Sequence, residues 1–395
     1  MKKSSIALAI VDLSVPAFAV DVTVYGVLDA GYGDTSKTVT TTAGVGVKQG
    51  QAAIAFSQVL TSRLGVVATE DLGGGMKAIV RIETGIGSNP MAGVVQGTGA
   101  NFASSGALKQ NGTTIDATSL GGRELHATLD FGQGTALKIG YGSSPIRDFT
   151  FAYDSALQGN LVGSLITNDA VTANNRSNAI SVLQTIGPVK ASIGAMRNTD
   201  TKDGFPDQLY GPAGSATGLG NGVQASLQYA DKALSLGIAY QSAEVTSTTT
   251  FGTTLTNLTD VTTKVIVFGA SYDFGVLKLT AQYADIKLDD SITVNAVGEG
   301  SRKHENIGVN VPVGAATLFA QYSKGKQDQV VATGVASVSR DLSGFTVGGK
   351  YDFSKTTYAY VSYGQTELKV GAATDNAGNI GVKSNQYALG LVKKF

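Results

Sequence analysis

Val223-Gln224-Ala225-Ser226-Leu227-Gln228-Tyr229-Ala230-Asp231-Lys232-Ala233-Leu234-Ser235-Leu236-Gly237-Ile238-Ala239-Tyr240-Gln241 carries the pattern that decides the fold. Val223, Ala225, Leu227 and Tyr229 alternate with Gln224, Ser226 and Gln228; after the Asp231-Lys232-Ala233 turn, Leu234, Leu236, Ile238 and Tyr240 alternate with Ser235, Gly237 and Gln241. A repeat of two residues places successive side chains on opposite faces of an extended strand. Two such runs joined by a short turn predict an antiparallel hairpin with one apolar and one polar face.

The pattern continues outward from this hairpin. Ile266, Phe268, Ala270, Tyr272 and Phe274 form the next apolar face, followed after Gly275 by Leu279, Ala281 and Tyr283; Lys264, Ser271, Asp273, Lys278, Thr280 and Gln282 are read on the opposite face. Period-two segments fall at 21–33, 61–72, 76–87, 123–132, 135–143, 176–187, 189–198, 222–231, 233–245, 263–275, 276–288, 302–313, 315–326, 341–353, 356–369 and 384–395, sixteen in all. A soluble sandwich also alternates, so other features must choose. The segments are about ten residues long, the length that crosses a membrane at a tilt of about 45°. Their polar faces are small, charged and Gly-rich, with nothing bulky enough to build a second core. Aromatics such as Tyr229, Tyr272, Phe274, Tyr351 and Phe353 sit at segment ends, where an interfacial girdle lies. Tight turns at Gly73-Gly74-Gly75, Gly187-Pro188, Gly275 and Ser354-Lys355 alternate with long polar connections at 88–122 and 198–221. The expectation is an all-β, sixteen-stranded antiparallel transmembrane barrel with a water-filled lumen and both termini on the periplasmic side.

The chain opens Met1-Lys2-Lys3, continues with an apolar run from Ile6 to Val11, and reaches Ala17-Phe18-Ala19. That order predicts an export signal over 1–19, cleaved after Ala19, and a barrel over 20–395. The 395-residue chain has no Cys and no Trp, and no apolar run long enough for a membrane helix. Without Lys2, Lys3 and Asp12 the remaining chain holds 28 basic and 29 acidic residues, so its bulk charge points to no nucleic acid. The two histidines, His126 and His304, form no HExxH site and read as lumenal or interface residues. No GxSxG, Walker or GxGxxG element is present, and the glycines read as turn and strand-packing residues. No enzyme, cofactor or metal is expected.

Four stretches resemble a known family. Val22-Thr23-Val24-Tyr25-Gly26-Val27-Leu28-Asp29-Ala30-Gly31 is similar to its first strand; Ser62-Arg63-Leu64-Gly65 and Glu70-Asp71-Leu72-Gly73-Gly74-Gly75-Met76-Lys77-Ala78-Ile79 are similar to its next two. Tyr351-Asp352-Phe353-Ser354-Lys355-Thr356 resembles its last periplasmic turn, and Tyr387-Ala388-Leu389-Gly390-Leu391-Val392-Lys393-Lys394-Phe395 its closing strand. The family is the trimeric general porins of Gram-negative outer membranes, in their neisserial and β-proteobacterial branch. The resemblance implies a homotrimer in outer-membrane lipid and lipopolysaccharide that passes ions and small hydrophilic solutes by diffusion. It also implies a third loop folded into the lumen, here 144–175 with Arg147, Asp148, Asp154 and Asp169, and an assembly signal at Tyr387 and Phe395 read by the barrel assembly machinery.

Strand parity supplies the candidate wall facing that loop. Leu64, Val66 and Ala68 point to lipid, which turns Arg63 inward; Ala78, Val80 and Ile82 point to lipid, which turns Lys77, Arg81 and Glu83 inward; the same count gives Asp29 and Lys138. Arg63 and Arg81 are the leading wall cations, because a charge at the lipid midplane costs about 2–4 kcal/mol while a lumenal one stays solvated. The family's Pro-Glu-Phe-Gly-like loop element is missing and Tyr141 stands where a basic residue is frequent, so the resemblance assigns no ion preference. A substrate-specific channel and a barrel-shaped adhesin are the alternatives.

Overall fold

The computed structural model describes residues 20–41, 44, 46–86, 122–157, 163–167, 176–197, 217–250, 253–256, 262–289, 300–329, 338–370 and 379–395. The strands are β1 (Val20–Thr41), β2 (Gly46–Phe56), β3 (Arg63–Gly73), β4 (Met76–Gly85), β5 (Glu124–Asp130), β6 (Thr135–Ser143), β7 (Arg176–Ile186), β8 (Val189–Met196) and β9 (Thr217–Ala230). They continue with β10 (Leu234–Thr250), β11 (Thr253–Thr256), β12 (Thr262–Asp273), β13 (Lys278–Asp289), β14 (Gly300–Val313), β15 (Ala316–Gln329), β16 (Val338–Ser354), β17 (Thr357–Val370) and β18 (Asn379–Lys394). The helix α1 (Pro145–Ala152) lies between β6 and β7.

Sequence neighbours pair antiparallel except β2 with β3 and β11 with β12, β10 pairs directly with β12, and β1 pairs with β18 to close the ring. Eighteen strands make a sixteen-stranded barrel because two of them are not separate staves. β11 is a short hairpin arm on the distal end of β10. β2 and β3 lie end to end along the same edge of β1, β2 against Ala30–Thr40 and β3 against Val20–Val27. Alternation alone bounds the first strand at 21–33 and starts the second at 61. In the structure β1 runs eight residues further, and β2 extends the second stave beside it.

Closure is completed by the last residue. Gly26 N–H donates to the Phe395 carbonyl at 2.9 Å, and Phe395 N–H donates to the Gly26 carbonyl at 3.1 Å. The Phe395 ring covers the space where Gly26 lacks a side chain, so a Cβ there would collide with it.

The outer surface is apolar, as alternation predicted: Leu227, Leu236, Phe268, Ile307, Leu318, Val347, Val361 and Leu389 are all exposed. Two aromatic rims bound it. Near the tight turns, Tyr272 packs on Phe274 at 4.6 Å and Tyr351 on Phe353 at 5.2 Å; toward the other end, Phe345 meets Tyr363 at 5.6 Å and Tyr363 meets Tyr387 at 4.5 Å. From Phe345 to Phe353 the strand rises roughly 27 Å at about 3.4 Å per residue. Tilted, this spans about 20 Å of height, comparable with the roughly 25 Å apolar band of membrane barrels. Lys264 shares the outward parity of Ile266 and Phe268 and is exposed, which corrects its assignment to the inner face.

Candidate functional site

The third connection starts on the wall at β6 and crosses the interior. Ser144 caps α1 by accepting from the Arg147 amide at 3.2 Å, and Pro145 occupies the first turn. This is a position where proline forfeits no helical hydrogen bond. Ile146, Phe149 and Tyr153 then bury against Ala239, Val265, Val267, Ala284 and Ile286 on the inner faces of β10, β12 and β13. These inward aliphatics form a compact core inside the barrel. The lumenal face is therefore not uniformly polar, contrary to the sequence reading, because the loop needs an apolar seat.

Further along, the loop is pinned to polar groups of the far wall. Ser155 N–H donates to Gln321 at 3.1 Å, Ser155 Oγ contacts Thr280 Oγ1 at 2.7 Å, and Asn310 donates to the Ser155 carbonyl at 2.9 Å. Asn306 reaches Ser164 at 3.1 Å, and Leu165 N–H donates to Ser323 at 3.3 Å. Inward glycines on β10, β12, β14 and β16 make the groove: Gly237 lies under Phe149, Gly269 under Tyr153, Gly308 under Ser155 and Gly344 under Gly163. A Cβ on any of them would stand within 2.6 Å of the loop atom above it.

Along β9–β16 the loop is thus seated on the wall, and the open side, where Arg63 and Arg81 keep part of their side chains exposed, is the wall of β3–β7. That wall is charged. Glu83 is held by Tyr25 OH at 2.9 Å, Arg123 Nε at 2.7 Å and Arg63 Nε at 3.4 Å. Directly opposite Glu83 on β5, Glu124 accepts from Arg81 at 3.4 Å and Ser143 at 3.3 Å, and lies 3.4 Å from His126 Nε2. The Arg81 guanidinium also lies over the Tyr25 ring, 5.7 Å from its centroid. Burial, with Arg176 and Arg123 close by, pulls the Arg147 guanidinium well below its ordinary value, as expected where like charges crowd.

The candidate residues separate under this geometry. Arg63 and Arg81 face inward in the charged wall, and Lys138 lies beside them with its Nζ 3.4 Å from the Ser143 carbonyl. Lys77 is inward but sits at the turn end of β4, in register with Asp71 and Asp130, well away from the wall cluster. Arg147 and Asp148 lie on α1. Asp154 is taken up within the loop: its carboxylate accepts from the Ala156 amide at 2.6 Å, and burial pushes it above the ordinary aspartate range. Asp169 lies outside the described residues.

Asp29 is a correction. It points inward, yet it is fully buried, because residues 57–62 fold over it and take its carboxylate for their own amides. Tyr387 and Phe395 are exposed on the outer face of β18. Parity had turned Glu83 inward without giving it a partner; Arg123, Glu124 and Arg176 were not selected, since they lie at strand ends where parity is weakest. His126 and His304 both stand on inward faces, His126 beside Glu124 and His304 fully buried beside Gly325.

A closed barrel with an apolar outer belt, a polar interior and a loop laid across that interior defines an outer-membrane β-barrel channel. The chain belongs to the Gram-negative porin family, which it matches over residues 4–372. It is 25% identical over 345 residues to an outer membrane porin protein of Bordetella pertussis, covering 82% of this chain and 81% of that protein. Its fold matches the anion-selective porin from Comamonas acidovorans with a TM-score of 0.65 at 21% identity, covering 95% of this chain and all of the other. The trimer form of OmpT from Vibrio cholerae matches with a TM-score of 0.59 at 15% identity, over 95% of this chain and 100% of that one. The protein is an outer-membrane porin, a water-filled channel for passive diffusion of ions and small hydrophilic solutes.

Proposed function

We propose that this porin is a homotrimeric, non-catalytic diffusion channel that prefers anions, with its eyelet between the third loop and the wall of Arg63, Arg81, Arg123 and Lys138. The carrying observation is charge placement. Around the open side, among the described residues, Arg63, Arg81, Arg123, Lys138, Arg147 and Arg176 face Glu83, Glu124 and Asp148 as neighbouring carboxylates, six cations against three anions. Inward parity adds Arg302 toward the outer end, while Lys37 and Arg340 share that parity but are buried. A chain neutral in bulk thus turns a basic surface to the pore, and rings of fixed cations raise the local concentration of permeating anions. Lys77 acts at the periplasmic mouth, and Asp154 acts by shaping the loop.

The same reading assigns residues 1–19 to a cleaved export signal, the apolar belt to outer-membrane lipid and lipopolysaccharide, and Tyr387 with Phe395 to recognition by the barrel assembly machinery. The resemblance to a trimeric neighbour supports assembly as a trimer. The test is the purified protein in planar bilayers. Conductance should rise in groups of three equal steps, and in a KCl gradient the zero-current potential should take the sign of chloride permeation. A cation-signed potential would overturn the preference, and solitary steps the trimer.

A further inference from the structure

Between β2 and β3 the second stave leaves the wall and returns. Ala30 pairs with Phe56 and Val27 with Arg63, so residues 57–62 stand opposite only Leu28 and Asp29 and turn into the lumen. An ordinary β-bulge inserts one extra residue. This excursion is larger, and closure does not require it, since β1 runs on unbroken beside it.

Asp29 holds the excursion. Its Oδ2 accepts from the amides of Val59 at 2.7 Å and Leu60 at 2.8 Å, its carbonyl accepts from Ser57 N–H at 2.8 Å, and its own amide donates to Ser62 Oγ at 3.0 Å. Its Oδ1 accepts from Tyr360 OH at 2.7 Å, which ties the assembly to β17. Two consequences follow. Val59 and Leu60 join one apolar cluster with Ala156 and Leu157 at the apex of the third loop and with Phe319 and Tyr358 on the wall. The Thr61 carbonyl accepts from Arg63 Nη1 at 3.1 Å, fixing the direction of a wall cation. Ser57 has φ 65° and Leu157 φ 60°, so each of the two meeting segments contains a non-glycine residue in the left-handed region. Such residues persist where surrounding contacts over-determine the backbone.

We infer that residues 57–62, clamped by Asp29, are a dock that seats the apex of the third loop and aims Arg63 at the lumen. Asp29, Val59 and Leu60 are positioning residues for permeation, although none of them lines the open channel. The inference rests on the third loop being the constriction and does not depend on which ion is preferred.

The test uses the full-length porin, comparing open-channel current noise in planar bilayers with hydrogen–deuterium exchange in detergent. Asp29→Asn keeps the shape but weakens the charge-assisted bonds to the Val59 and Leu60 amides. Leu60→Ala leaves every Asp29 bond in place and trims only the apolar cluster that the loop shares with the wall. Both variants should speed amide exchange at 153–157 by about tenfold, because docking contacts set the cost of local opening. Both should raise current noise severalfold, with barrel-strand amides unchanged. The dock is overturned if exchange at 153–157 keeps its unmodified rate in both, even where 57–62 loosens in Asp29→Asn. If that variant does not assemble, Leu60→Ala decides alone. Faster loop exchange with unchanged conductance and noise would uphold the dock and remove the third loop as the constriction.

Discussion

At the scale of single residues, the charges divide into those that meet the solute and those that hold the machinery. Arg63 is only partly covered, with a side-chain exposure of 27%, and shares Glu83 with Arg123. Arg63→Ala should therefore shift the zero-current potential toward cations and leave folding intact; an unmoved potential would take Arg63 out of the eyelet. Glu83→Gln should instead weaken the fold. Glu83 is buried and bound by three partners, so its neutralisation leaves Arg123 with an uncompensated charge, and losing one partner of such a group costs on the order of 3–5 kcal/mol. A thermal midpoint within about 2–3 °C of the unmodified protein would contradict this, since a loss of that size moves midpoints by more. Strand alternation made Arg63 and Arg81 legible as inward cations, because period two fixes a side chain's face from sequence alone. It could not separate Asp29 from them. Facing inward is a property of the strand, whereas being covered depends on residues 57–62, whose path no local pattern in Ser57 to Ser62 announces.

Among the elements, strands and tight turns were readable and the long connections were not. The turn at Gly275 shows why: φ of 82° is open to glycine without cost, and the flanking apolar alternation resumes on either side. The helix α1 is short and sits in a segment read only as loop, and helices of this length take their stability from packing rather than propensity. Its seat did leave a trace. Val265, Val267 and Ile286 are apolar at inward positions, and Gly237, Gly269, Gly308 and Gly344 recur at inward positions of β10, β12, β14 and β16. Together they mark the route of the loop, a signal that reading every glycine as turn or strand packing passes over. Gly344→Ala tests the route, because the new Cβ would stand 2.5 Å from the Gly163 carbonyl oxygen, a backbone atom. Overpacking of this kind typically costs about 1–3 kcal/mol. It should free residues 163–167 to faster amide exchange while β15 and β17 stay protected. Equal exchange in the variant and the unmodified protein would show that the loop does not lie in the groove.

For the molecule as a whole, closure, belt and lumen form one consistent design, in which the apolar outer face and the largely polar inner face arise from the same alternation. The terminal Phe395 links the last residue to the first strand through Gly26. Removing Phe395 should lower the fraction of protein recovered in the outer membrane, and full recovery would place the assembly signal elsewhere. The central claim is passive diffusion through a single water-filled lumen narrowed by the third loop. Its most direct test is the swelling rate of liposomes carrying the purified porin in isotonic solutions of neutral sugars of increasing size. The account predicts rates that fall smoothly with solute size and rise in proportion to concentration for every sugar. Saturating influx of one sugar, with others of equal size excluded, would contradict it and identify a substrate-specific channel.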